Sequence, residues 1–335
     1  MRVADWIAEY LYSIGVRRVH GLMGGGAAGL NDGFIKHPGI EYICYHHEQG
    51  AGHAAVGEAK YTGKLAVVNP TTGCGGTNCA TSVLNAWQDG VPVLFLSGNV
   101  RLDNCTRWFK NRHTLNIRHY GAQEHDIVET MKSMTKASYF IDSVSLVSHG
   151  IQNAIHLATT GRPGPVWVDI PSNIQSAEMG AHKEHVHSVI APAFHDKDIV
   201  AQKLNNSSRP LIVVGNGVRQ AGCVKAFIKL VETYKVPFVT TYGAQDYAPY
   251  DHPLNIGTPG VRGNRAGNFA MQNADVLLFL GTSIGAPVIG YDPKQFNPTA
   301  YKIYVDIEPD ELQKNIIPID LQINTSIQKF FEGML

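Results

Sequence analysis

The run Tyr45-His46-His47-Glu48-Gln49-Gly50-Ala51-Gly52-His53-Ala54-Ala55 sets one carboxylate among imidazoles and small residues, where a short apolar stretch gives way to a helical pattern. A glutamate at a helix start has a bland use, because it complements the positive end of the macrodipole. At the edge of a crevice the same carboxyl can hold or release a proton for chemistry. The glycines and alanines that follow let another surface approach that helix closely. His47, Glu48 and His53 also resemble a zinc-protease helix, whose ligands stand four residues apart. Six residues turn a helix by about 600°, leaving these two histidines roughly 120° apart in azimuth. Zinc is rejected on that geometry, and no other metal site is expected in the chain.

A second segment, Asn69-Pro70-Thr71-Thr72-Gly73-Cys74-Gly75-Gly76-Thr77-Asn78, is a glycine-rich turn between an apolar run and a helix. Alone it is a tight turn or a set of backbone amides offered to an anion. Gly24-Gly25-Gly26 forms a third such loop. If all three close strands of one sheet, they point at one crevice.

The elements that must position them follow from the apolar runs. Val19 to Gly21, Ile40 to Cys44, Leu65 to Asn69, Val93 to Ser97 and Val166 to Ile170 are short, bounded by glycine or proline, and alternate with helical segments. That alternation predicts parallel α/β layering with ligands at the carboxyl ends of the strands. A second pattern begins at Pro210 to Val214, continues through Val276 to Gly281 and Tyr301 to Ile307, and closes with a helix from about Thr325 to Leu335. The fold class expected is α/β with two doubly wound parallel-sheet domains, over residues 1–175 and 194–335. Residues 176–193, carrying His182, His185 and His187, read as a linker.

With 335 residues and 44% hydrophobic content, two cores are the expectation. Twenty-eight basic residues balance 28 acidic ones, so no global field draws in nucleic acid or an anionic membrane. A small neutral or anionic ligand fits better. No stretch approaches the roughly 18 apolar residues of a membrane span, and the first residues read as an amphipathic helix, not a signal peptide. The five cysteines are scattered and form no Cys-x-x-Cys pair, which points to a reducing cytoplasm.

His46 to Ala55, Thr71 to Asn78, Ala86-Trp87-Gln88-Asp89-Gly90-Val91-Pro92, Gln123-Glu124 and Gly161-Arg162-Pro163-Gly164-Pro165-Val166 together resemble the pyrimidine-binding domain of acetolactate synthase-like thiamine diphosphate (ThDP) enzymes. The second half resembles that family's nucleotide-fold-like central domain. The resemblance rests there on Val214-Gly215-Asn216-Gly217, Gly257-Thr258-Pro259-Gly260, Asn273 to Leu278 and Asp306 to Glu311.

This resemblance implies an enzyme of decarboxylation and carboligation on 2-oxo acids. Glu48 would meet the pyrimidine ring of ThDP, Gln123 would stand on the substrate side, and Leu22, Gly25, Gly26, Cys74 and Asn78 would line the pyrimidine pocket. Ala122 stands where acetolactate synthases carry an aromatic residue, so the acceptor pocket is expected to be wider or differently used. Cys74 replaces a usual proline and reads as a buried small residue, since no adjacent Lys or Arg favours its thiolate. After Gly281, Thr282-Ser283-Ile284-Gly285 replaces the Arg-Phe-Asp-Asp run that helps hold FAD, so FAD is not expected.

The family holds the cofactor's diphosphate through Mg²⁺ on a Gly-Asp-Gly motif, because a polyanion needs a hard cation with oxygen ligands. These 335 residues contain no Gly-Asp-Gly. The expectation is a pyrimidine-domain subunit or fragment that self-associates through that domain and is completed by a separate diphosphate-binding polypeptide. The competing expectation is a non-catalytic binding or regulatory protein that keeps the fold, with a nucleotide in its central domain.

Overall fold

A computed structural model describes residues 1–180 and 192–335. The chain divides into two compact units, Met1–Ser188 and Val189–Leu335. Most of the expected linker, with its three histidines, lies outside the described residues.

The first unit holds a six-stranded sheet of β1 (Arg18–Gly21), β2 (Glu41–Cys44), β3 (Ala66–Asn69), β4 (Val93–Asn99), β5 (Ala137–Phe140) and β6 (Val166–Pro171). Its order is β2-β1-β3-β4-β6-β5, and every pairing is parallel. β4 and β6 are buried along their whole length, as interior strands covered on both faces must be. Their side chains alternate between two cores. Val67, Leu94, Leu96, Val166 and Val168 join one cluster. Val68, Phe95 and Trp167 join the other, with Phe95 and Trp167 stacked at 5.3 Å between centroids. The helices on these two faces make the unit doubly wound.

The second unit repeats this logic with β7 (Pro210–Val214), β8 (Phe238–Thr240), β9 (Asn255–Gly257), β10 (Val276–Leu280), β11 (Tyr301–Asp306) and β12 (Leu321–Asn324). The order β12-β11-β10-β7-β8-β9 is all parallel. It matches the dinucleotide-binding order, with its switch point between β7 and β10. Alternation is clean here too: Ile212, Val214, Leu278, Leu280, Ile303 and Val305 enter one core, while Leu211, Val213, Leu277, Phe279 and Tyr304 enter the other.

The strand order in the first unit reverses between β1 and β3, so the loops after those strands diverge and leave room at the carboxyl end of the sheet. Gly24-Gly25-Gly26 and Thr71 to Asn78 are those loops. The helix Glu48–Thr62 begins beside them, after β2. Its small residues serve a partner within the same unit: Gly52 meets the Ser82 side chain on the helix Ala80–Asp89. Among the described residues, no helix is long and apolar enough to cross a membrane.

Candidate active site

Glu48 is the first residue of its helix, and His47 is the cap, with its Nδ1 accepting from the Gln49 amide at 3.1 Å. Capping fixes the direction in which the chain enters the helix. The Glu48 side chain is only 5% exposed. Its Oε2 accepts a hydrogen bond from the Asn78 side-chain amide at 2.9 Å, the one bond the carboxylate receives from the described residues. An ionised carboxylate has about four acceptor positions. Among the described residues, most of this capacity is left open.

Glycine sets the space around it. A Cβ on Gly75 would stand 2.9 Å from Glu48 Oε1 and 2.7 Å from Thr71 Cγ2. A Cβ on Gly26 would run into Thr72, and one on Gly24 into Thr71, so the loop after β1 lies directly on the loop after β3. Gly25 between them faces open space. Thr72 is tied down by its own hydroxyl, which donates to the Gly98 carbonyl at 3.2 Å. Behind the carboxylate, the Cys79 thiol meets the carbonyls of Glu48 and Gly75, each at 3.8 Å. Burial pushes that thiol well above its ordinary range, and the Glu48 charge adds to the shift. Cys79 is a packing residue.

Gln123 arrives from another part of the chain. Gly73 has φ +54° and ψ −106°, a conformation open to glycine alone. The Gln123 carbonyl presses against the place where a Cβ on Gly73 would be. Gln123 itself holds φ +58°, which for a residue with a side chain costs about 1–2 kcal/mol. Glu124 anchors this geometry: buried at 6% exposure, it accepts from the Thr106 amide at 2.9 Å and hydroxyl at 2.7 Å. Its Oε2 is the one buried side-chain oxygen or nitrogen without a partner among the described residues.

Of the residues singled out from sequence, Glu48 and Asn78 are bonded, and Gln123 touches the turn that leads to Cys74. Gly25, Gly26 and the half-buried Leu22 stand on the facing loop. Cys74 corrects an expectation. It is exposed, because it opens the short turn Cys74–Thr77, whose inward positions are taken by Gly75 and Gly76. Thr71, Thr72 and Gly75 were not singled out, although the motif contains all three; their role is close approach, which a single sequence displays only as small residues in a row. The pairing of Glu124 with Thr106 leaves no local signal, since 18 residues separate the partners.

Deeper in the sheet, Asp169 on β6 is 1% exposed, and among the described residues no cation is bonded to it. Ser97 Oγ donates to its Oδ1 at 2.6 Å and Asn99 Nδ2 to its Oδ2 at 2.7 Å. Burial outweighs those two bonds and pushes its carboxyl up to about 7.

In the central unit the switch-point loop is occupied by the chain itself. The Gly217 amide donates to the Gly281 carbonyl at 2.9 Å, and the Arg219 amide to the Tyr247 hydroxyl at 2.8 Å. Ser283, from the run that stands in place of the flavin motif, donates to Glu311 at 3.0 Å and accepts from Lys314 at 2.8 Å.

The two units correspond to two successive family domains. Residues 1–130 match the thiamine pyrophosphate enzyme N-terminal TPP binding domain, and residues 198–334 match the thiamine pyrophosphate enzyme central domain. The chain belongs to the ThDP enzyme family and carries its N-terminal and central domains. Among its relatives, the acetolactate synthase large subunit of Lactococcus lactis is 31% identical over 337 residues, covering 98% of this chain and 56% of the relative. The acetolactate synthase isozyme 1 large subunit of Escherichia coli is 32% identical over 315 residues, covering 93% and 53%. The chain thus spans about half the length of these relatives.

Proposed function

We propose that this chain supplies the pyrimidine-facing half of a ThDP site in an acetolactate synthase-like enzyme acting on 2-oxo acids, with Glu48 as its proton-handling residue. The observation that carries this reading is the buried Glu48 carboxylate, held by one protein donor and framed by glycines that leave room for a flat ring. When bound, the cofactor supplies an electron sink for decarboxylation beside the 2-oxo acid carbonyl. The protein's part is to hold and release a proton at the Glu48 carboxylate, with Asn78 fixing the orientation of that group. Leu22, Gly25, Gly26 and Cys74 border the space for the ring, and Gln123 stands toward the substrate. Mg²⁺ and the diphosphate fall to a Gly-Asp-Gly-bearing polypeptide outside these 335 residues, against which the pyrimidine unit, itself self-associating, would face.

The test is Glu48→Gln in a complex reconstituted with such a polypeptide. An amide of the same shape cannot exchange the proton, so C2 proton exchange of ThDP, followed by NMR, should slow by about 100-fold or more while the cofactor stays bound. An unchanged rate removes Glu48 from the mechanism.

A further inference from the structure

Three polar side chains from three separate elements meet where β1 and β2 end. His20, on β1, is 4% exposed. Its Nε2 lies 2.6 Å from Glu58 Oε2 on the third turn of the Glu48–Thr62 helix, and its Nδ1 lies 2.9 Å from the hydroxyl of Tyr45. A carboxylate only accepts, so Nε2 carries the hydrogen; in the neutral ring Nδ1 is then the acceptor and Tyr45 the donor. The Nε2 direction is fixed by the carboxylate, and the Nδ1 direction follows from it in the neutral ring. Arg18 holds the outer end, with Nη1 3.6 Å from Glu58 and Nε 3.2 Å from Glu41. At the inner end, the Tyr45 amide donates to the Gly21 carbonyl at 2.9 Å. Burial, with the Glu58 charge adding to it, holds the phenol above its ordinary value and keeps it a donor.

Tyr45 stands three residues before Glu48, and Glu58 stands ten after it. The chain Tyr45-His20-Glu58 therefore ties both sides of Glu48 to one strand of the sheet. We infer that Tyr45, His20 and Glu58 form a directed hydrogen-bond relay that fixes the turn carrying Glu48, and that they are positioning residues for its carboxylate. The functional meaning rests on the role proposed for Glu48; the relay itself does not. A buried imidazole needs both nitrogens satisfied.

The test uses the full chain labelled with ¹⁵N. At a pH where the ring is neutral, the His20 imidazole should show a single tautomer, with Nε2 protonated and Nδ1 a hydrogen-bonded acceptor. Tyr45→Phe should move Nδ1 to the position of an unbonded acceptor and speed exchange of the Ala51 amide about tenfold, leaving the Leu278 amide of the other unit unchanged. Glu58→Gln, which keeps shape and hydrogen-bonding capacity, should mix the tautomers, because an amide can offer Nε2 either a carbonyl or an NH₂. In the reconstituted complex, Tyr45→Phe should slow C2 exchange about tenfold at unchanged cofactor affinity. A neutral His20 ring with its hydrogen on Nδ1, or Ala51 exchange equal in wild type and both variants, overturns the relay. Glu48→Gln separates the two ideas: it should leave the His20 spectrum as in wild type, so failure of Glu48's assigned role appears in C2 exchange and failure of the relay in the imidazole spectrum.

Discussion

The Asn78 amide donates to Glu48 Oε2 at 2.9 Å across a separation of 30 residues, joining the turn after β3 to the helix after β2. Removing that bond while adding a like charge gives a clear sign. Asn78→Asp should cost about 1 kcal/mol for the lost bond, with carboxylate repulsion added at neutral pH. Protonation of either carboxyl in acid removes the second cost. Urea midpoints of variant and wild type should therefore lie further apart at pH 7 than at pH 4, and an equal gap at both would show that the two groups do not face each other.

Two neighbouring glycine loops should respond unequally to one methyl group. Gly75→Ala brings a Cβ to 2.9 Å from Glu48 Oε1 and 2.7 Å from Thr71 Cγ2, an overpacking that should cost about 1–3 kcal/mol. Gly25→Ala meets nothing within 4 Å and should change stability by no more than about 0.5 kcal/mol. Thermal melts of the two variants decide this.

How far the sequence reveals this architecture depends on burial. Interior strands such as β4, β7 and β10 are legible because parallel sheets covered on both faces demand unbroken apolar runs. β5, β9 and β12 escape notice because they are short and lie at or beside sheet edges, with half-buried residues such as Tyr139 and Ile256. β8, with three residues after Pro237, is too short to signal itself. At the site, Glu48 is legible through its setting among small residues, whereas His20 and Glu58 are single polar letters whose meaning appears only when β1 and the helix are brought together. The sequence does not show that Cys74 faces outward, because the two buried places of its turn go to Gly75 and Gly76.

Asp169 predicts a pH dependence. Its carboxyl is pushed up to about 7 in the folded chain, against about 3.9 unfolded. The stability it contributes is full below pH about 4 and lost as pH rises through about 7. Asp169→Asn keeps the shape; its carbonyl can accept from Asn99, and its amide can donate to Ser97, whose hydroxyl rotates. The variant should gain on wild type by up to about 4 kcal/mol between pH 4 and pH 7, seen as crossing or converging urea midpoints. A difference independent of pH would mean that Asp169 is ionised throughout.

The last prediction follows from where the cofactor's binding energy arises. The pyrimidine side of the site offers Glu48 and a few neutral contacts, each hydrogen bond contributing about 0.5–1.5 kcal/mol net. The diphosphate is a multiply charged group that needs Mg²⁺ and oxygen ligands. Among the described residues, no group of three or more His, Cys, Asp or Glu is placed to hold a metal ion. The 335-residue chain should therefore show no Mg²⁺-dependent ThDP binding at micromolar cofactor, and should gain it when mixed with a Gly-Asp-Gly-bearing diphosphate-domain polypeptide. Calorimetry with ThDP and Mg²⁺, run with and without that polypeptide, makes the comparison. Tight Mg²⁺-dependent binding by the chain alone would place the diphosphate anchor within these residues and end the proposal that the site is shared.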